Sequence, residues 1–175
     1  VDVNTDTVHR PVRIGVFATV READAAVQGL LSEGFAASDI SVVCSDKSKE
    51  SFFAEFEHDK PAGETAPAKA QAGALAGLIA GGALAVAGVV ATGGAGLLIV
   101  GPLFAGTGAA VGTFVGAMTS RGTEREVANF YDQALRDGQI LVSAETAPDA
   151  DRARLQAAER VFRDAGARPV PLPKG

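Results

Sequence analysis

Apolar positions fall into short runs, helical stripes and one very long stretch, and each regime predicts a different element. Arg13-Ile14-Gly15-Val16-Phe17-Ala18 is a compact apolar run and predicts a buried strand. The spacing then turns helical: Ala23, Val27, Leu30 and Leu31 share one face, Thr19 and Glu22 stand at capping-box spacing, and Gly34 is the stop. Asp39-Ile40-Ser41-Val42-Val43-Cys44 predicts a second strand. Far downstream, Thr123-Glu124-Arg125-Glu126 has the form of another capping box, opening a helix that turns Val127, Phe130, Tyr131 and Ala134 toward a core and ends at Gly138. Gln139-Ile140-Leu141-Val142-Ser143-Ala144 is a third strand, and Pro148-Asp149 introduces a helix with Leu155, Ala158, Val161, Phe162 and Ala165 as its stripe. After Gly166, residues 168–172 predict only a short edge strand, because Pro169 and Pro171 have no N–H for a ladder.

The third regime runs from Ala70 to Ser120, 51 residues without a charge and built almost wholly from Ala, Gly, Val, Leu, Ile, Phe and Thr. Two glycine series recur at helical spacing, Gly73-Gly77-Gly81 and Gly108-Gly112-Gly116, around the Gly-rich stretch Thr92-Gly93-Gly94-Ala95-Gly96. A bend centred between Gly94 and Ala95 pairs Gly73 with Gly116, Gly77 with Gly112 and Gly81 with Gly108, so the spacing predicts a glycine-zipper helical hairpin over 68–119. Its arms, 68–91 and 96–118, reach the length of about 20 residues that a bilayer crossing requires, with Pro102 kinking the second. Just before it, Phe52, Phe53 and Phe56 in Ser51-Phe52-Phe53-Ala54-Glu55-Phe56 fit an amphipathic turn at a membrane interface, or one packed on the domain.

The element order is strand, helix, strand, insertion, strand, helix, strand. That is the split βαβ pattern of a ferredoxin-like α+β domain, with the hairpin inserted between strands 2 and 3. The expected organisation is an N-terminal arm over 1–11, a discontinuous domain over 12–46 and 120–172, a linker over 47–67 and the hairpin over 68–119. Strands 2 and 4 are the edges of such a sheet. Ser41 to Cys44 is then an exposed edge, and the alternating arm Val1 to Val8 a strand that a neighbouring copy donates to it.

Charge and composition narrow the function classes. A net charge of −5, with no basic run interleaved with aromatics, argues against nucleic acid as a partner. One cysteine, Cys44, precludes an internal disulfide framework and fits a reducing compartment. The first eleven residues lack an apolar core with a small-residue cleavage site, so no secretory signal is expected there. Gly106-Thr107-Gly108-Ala109-Ala110-Val111-Gly112 is one residue too long for a dinucleotide loop and follows no strand, which leaves it to helix packing. His58 among Glu55, Glu57 and Asp59 reads as solvated surface rather than a metal site. No catalytic set, cofactor motif, metal-ligand spacing or small-molecule substrate emerges, and the expectation is a non-enzymatic protein.

Val12-Arg13-Ile14-Gly15-Val16-Phe17, the small-residue helix leading to Glu33-Gly34-Phe35, and Ser38-Asp39-Ile40-Ser41-Val42-Val43 resemble bacterial general stress proteins of the heat-induced type. Glu126-Val127-Ala128-Asn129-Phe130-Tyr131 and Gly138-Gln139-Ile140-Leu141-Val142 are similar to the helix and strand that follow the Gly/Ala-rich insertion in that family. The likeness covers most of 12–167 and brings no catalytic residues; the Phe-rich turn and Pro-rich tail depart from the pattern. It implies a stress-associated role.

Two readings follow. In the first, a homo-oligomeric membrane protein anchors its hairpin in the bilayer lipid, with its domains on the cytoplasmic side of the bacterial inner membrane. Lys60 and Lys69 before the run and Arg121 and Arg125 after it put both ends on that side. In the second, a soluble cytoplasmic shell, tube or filament gathers the hairpins into an apolar protein interior.

Overall fold

The computed structural model describes residues 10–45, 48, 86–92, 95–100, 114–120, 122–147 and 152–170, with 86–92 and 95–100 described by backbone alone. The fold is α+β, built on an antiparallel sheet of three strands with helices on both faces. β1 (Val12–Phe17) pairs antiparallel with β5 (Ile140–Glu145), from Val12 opposite Glu145 to Phe17 opposite Ile140. β2 (Ile40–Ser45) lies on the other side of β5, with Ile40 opposite Ala144 and Val43 opposite Leu141. On the free side of β1, the Arg168 N–H donates to the Val16 carbonyl at 2.8 Å, so the proline-flanked tail contributes a single bridge.

The first helix, α1 (Val20–Ser32), starts as its sequence dictates. Thr19 Oγ1 accepts from the Glu22 N–H at 3.2 Å, and Glu22 Oε2 accepts from the Thr19 N–H at 3.1 Å. Its end at Gly34, with φ of 83°, places the Gly34 N–H on the Leu31 carbonyl and the Phe35 N–H on the Leu30 carbonyl. Only glycine takes that left-handed turn without strain, and the paired bonds satisfy carbonyls the helix would leave open. Gly122, Gly138 and Gly166 close the ends of α2 (Phe114–Ser120), α3 (Arg125–Arg136) and α4 (Arg152–Asp164) in the same way. The second expected capping box does not form. α3 takes Glu124 as its N-cap, which shifts Glu126 to the second helical position, and no side chain caps the end.

Alternation along the strands sends side chains to two cores. On one face, Phe17, Val42 and Val142 pack under Leu30 of α1 and Phe162 of α4, and the Phe17 and Phe162 rings meet edge-on at 6.0 Å. On the other, Val16, Val43 and Leu141 pack under Phe114 and Met118 of α2 and Leu135 of α3. The helix after the insertion is therefore a cover for the second face and not only a connector. Hence β2 and β5 are buried at every position.

Part of the charge-free run enters this sheet. β3 (Val86–Thr92) and β4 (Ala95–Val100) form an antiparallel pair with Thr92 opposite Ala95, and β4 lies along β2 with Val42 opposite Val100 and Ser45 opposite Leu97. The order becomes β1-β5-β2-β4-β3. The expectation of helix over 86–91 and 96–100 is thus corrected. Val86, Val89, Val90, Thr92, Ile99 and Val100 are β-branched, and a two-residue Gly-Gly connection suits a strand hairpin. From Val42 to Ser45 β2 is correspondingly no open edge, since β4 pairs with it there. Donation of residues 1–8 to that edge is withdrawn.

Candidate functional site

The polar residues that the sheet draws together lie at the end where β1 and β2 begin and β5 finishes. Ser41 stands directly opposite Ser143, and Glu145 follows two positions along β5, so all three face α3. They are 0%, 1% and 2% exposed, a polar seam within an otherwise apolar layer. At its mouth, the Arg10 Nη2–H donates to Asp39 Oδ1 at 2.8 Å, Arg10 Nη1 lies 3.7 Å from Glu145 Oε2, and Arg10 Nε–H donates to the Thr146 carbonyl at 3.3 Å. The Thr146 N–H in turn donates to the Pro11 carbonyl at 2.9 Å. One guanidinium therefore ties residues 10–11 to the turn before β2 and to the end of β5, and compensates a carboxylate that burial would otherwise disfavour.

Among the described residues, Tyr131 of α3 is the titratable group most altered by the fold. Burial pushes its hydroxyl up to about 12, against a smaller opposing pull from the Arg13 guanidinium. Arg13 itself pairs with Glu159 of α4 on the opposite face. At the far end of the sheet, the Ser48 hydroxyl donates to the Gly138 carbonyl at 2.7 Å and lies 3.1 Å from Ser45 Oγ, fixing the chain where it leaves β2.

Among the described residues, no group of three or more His, Cys, Asp or Glu side chains is placed to hold a metal. Cys44 is 4% exposed within β2. The Arg10 cluster is chemically an electrostatic clamp that joins a cation to two carboxylates.

Of the residues singled out in the sequence, Gly116 lies half-buried in α2. Gly73, Gly77, Gly81, Gly108 and Gly112 lie outside the described residues, as do Phe52, Phe53 and Phe56, together with His9 and His58. The sequence does not mark the seam, because Ser41 lies in one apolar run and Ser143 with Glu145 in another about a hundred residues away. The available signal was two-residue spacing of polar side chains within β5, which becomes meaningful only when the strand is paired with β2. Compared with family models, with curated proteins and with solved structures, the chain matches nothing.

Proposed function

We propose that this chain is a non-enzymatic, stress-associated membrane protein: a ferredoxin-like domain at the cytoplasmic face of a bacterial inner membrane, self-associating and held there by its charge-free insertion. The observation that carries the reading is the run of 51 uncharged residues from Ala70 to Ser120, with every charged side chain of the chain lying before or after it. The strand order, with the Arg168 bridge outside β1 and β5 between β1 and β2, supports the ferredoxin-like assignment. The likeness to heat-induced general stress proteins supports the stress association.

With 86–92 and 95–100 in the sheet, the uncharged segments left over are 70–85 and 101–113, each shorter than the roughly 20 residues of a helical span. Among the described residues no helix is long and apolar enough to cross a membrane. Entry into the bilayer from one side, with return to the same side, is the arrangement those lengths favour. Alkaline carbonate extraction of cell membranes tests it: the protein stays in the pellet if the insertion is embedded. Release into lipid-free particles of high mass supports a soluble structural homo-oligomer instead, the reading that the pairing of β3 and β4 within the sheet favours.

A further inference from the structure

The two rims of the sheet differ. At the β1 rim, Val12, Ile14 and Val16 turn their backbone groups away from β5, since alternate residues of a strand bond to the same side. Two of these groups are engaged: the Val16 carbonyl accepts from the Arg168 N–H at 2.8 Å, and the Val12 carbonyl accepts from Arg13 Nη1–H at 3.2 Å. Pro169 and Pro171, which follow the Arg168 bridge, have no N–H to offer a further strand. At the other rim stands β3, and among the described residues no strand lies beyond it. Its two-residue connection to β4 sets Thr92 opposite Ala95, and such a loop closes on a mutually bonded pair. Thr92, Val90 and Gly88 therefore turn their N–H and C=O groups to β4, while Val89 and Ala91 turn theirs outward.

Exposed edges are ordinarily guarded by Lys, by Pro, by shortness or by a bulge. Val86-Ala87-Gly88-Val89-Val90-Ala91-Thr92 has seven residues and neither Lys nor Pro, and its one irregularity, between Val86 and Gly88, leaves residues 88–92 regular. The chain segment next to it is a poor match for that rim, since residues 70–85 hold a single β-branched residue, Ile79. We infer that β3 pairs antiparallel with β3 of a second copy of this chain, across a two-fold axis at Val90, to give one continuous sheet with five strands from each copy. The inference rests on the self-association in the reading above and names the surface that performs it. Centring on Val90 sets Val89 opposite Ala91 of the second copy and Ala91 opposite its Val89, so both outward residues of each copy bond in mutual pairs. A two-fold axis sets like residues near like, which penalises a charged edge; β3 carries no charge to repel its own copy. With groups of the β1 rim already taken, the addition ends at two copies instead of running on as a filament.

The experiment combines mass with crosslinking. Light scattering of the full chain in a nonionic detergent should give a dimer. The two Val90 positions then face each other in a pair without mutual hydrogen bonds, where Cα atoms lie about 4.5 Å apart and a disulfide fits. Val90→Cys should form a disulfide-linked dimer on mild oxidation, reversed by reduction. Thr92→Cys should not, because Thr92 opposes Gly88 of the second copy and the two Thr92 positions stand roughly 14 Å apart. Val89→Pro removes an outward N–H and no bond to β4, and should weaken the dimer about tenfold or more through the two hydrogen bonds lost across the axis. A dimer that stays unlinked with Val90→Cys, that links equally with Thr92→Cys, or whose affinity survives Val89→Pro overturns the β3 interface and leaves self-association to another surface. A mass above two copies overturns the closed pair. The self-association reading fails separately, on a full chain that is monomeric at every concentration.

Discussion

Gly15 shows how little room the face under α1 and α4 leaves at the level of single atoms. A Cβ built there falls 2.8 Å from the Phe17 ring and 2.9 Å from Phe162 Cγ, and both rings are buried. Gly15→Ala should therefore cost roughly 1–3 kcal/mol by overpacking, read as a lower midpoint in urea unfolding. Tyr131 makes a second prediction at this scale. Its hydroxyl ionises at about 12 in the folded protein against 10.0 when free, so the folded state holds the proton more tightly. The stabilisation is complete below pH 10 and is lost as pH rises from 10 toward 12, at about 1.4 kcal/mol per pH unit. Tyr131→Phe should flatten that decline, and the difference in unfolding midpoints between the two proteins from pH 9 to 11.5 measures it. Neither feature was legible beforehand. Gly15 read as one more small residue in a strand, and Tyr131 as one apolar position of a stripe, because burial depends on which helix covers which face.

The elements outside the insertion were written plainly in the chain, and their punctuation explains why. Thr19 with Glu22, and the glycines at 34, 138 and 166, are local devices whose geometry needs no tertiary partner, and the structure uses each as expected. Thr123 with Glu126 matched the same template but not the same backbone, since a one-residue change of start moves both residues out of register. Packing between elements is less local. α1 and α4 approach where Gly29 faces Val161, closely enough that a Cβ on residue 29 would lie 2.6 Å from Val161 Cγ1. Alanine would gain about 1 kcal/mol in intrinsic helix propensity, but the contact outweighs it. Gly29→Ala should therefore destabilise, Val161→Ala should destabilise by leaving a gap, and the double variant should recover stability beyond the sum of the two. Additive effects across that thermal-unfolding cycle would show that the helices part freely at this point.

For the whole molecule, the insertion's topology decides whether the charge-free run is an appendage or part of the domain. Glycines every four residues suggested two helices because that period marks one helix face, yet the β-branched residues between them fit a pleated ladder equally well. Periodicity in so small an alphabet does not choose. The sheet does, for 86–92 and 95–100, by placing Leu98 opposite Cys44 across the pairing of β2 with β4. Paired residues in antiparallel strands have Cα atoms about 4.5–5.5 Å apart, within the span a disulfide bridges. Leu98→Cys should then form an intramolecular disulfide with the native Cys44 on mild oxidation. It is visible as a reducible shift in electrophoretic mobility and a loss of both free thiols. Leu97→Cys is the control, because Leu97 pairs with Ser45, one step along the ladder, where side chains turn to the other face. If the run instead formed helical arms away from the domain, position 98 would have no fixed relation to Cys44, and the two variants would stay reduced alike. A crosslink at 98 alone would anchor the insertion on β2 and fix where segments 70–85 and 101–113 must begin and end as they leave the domain.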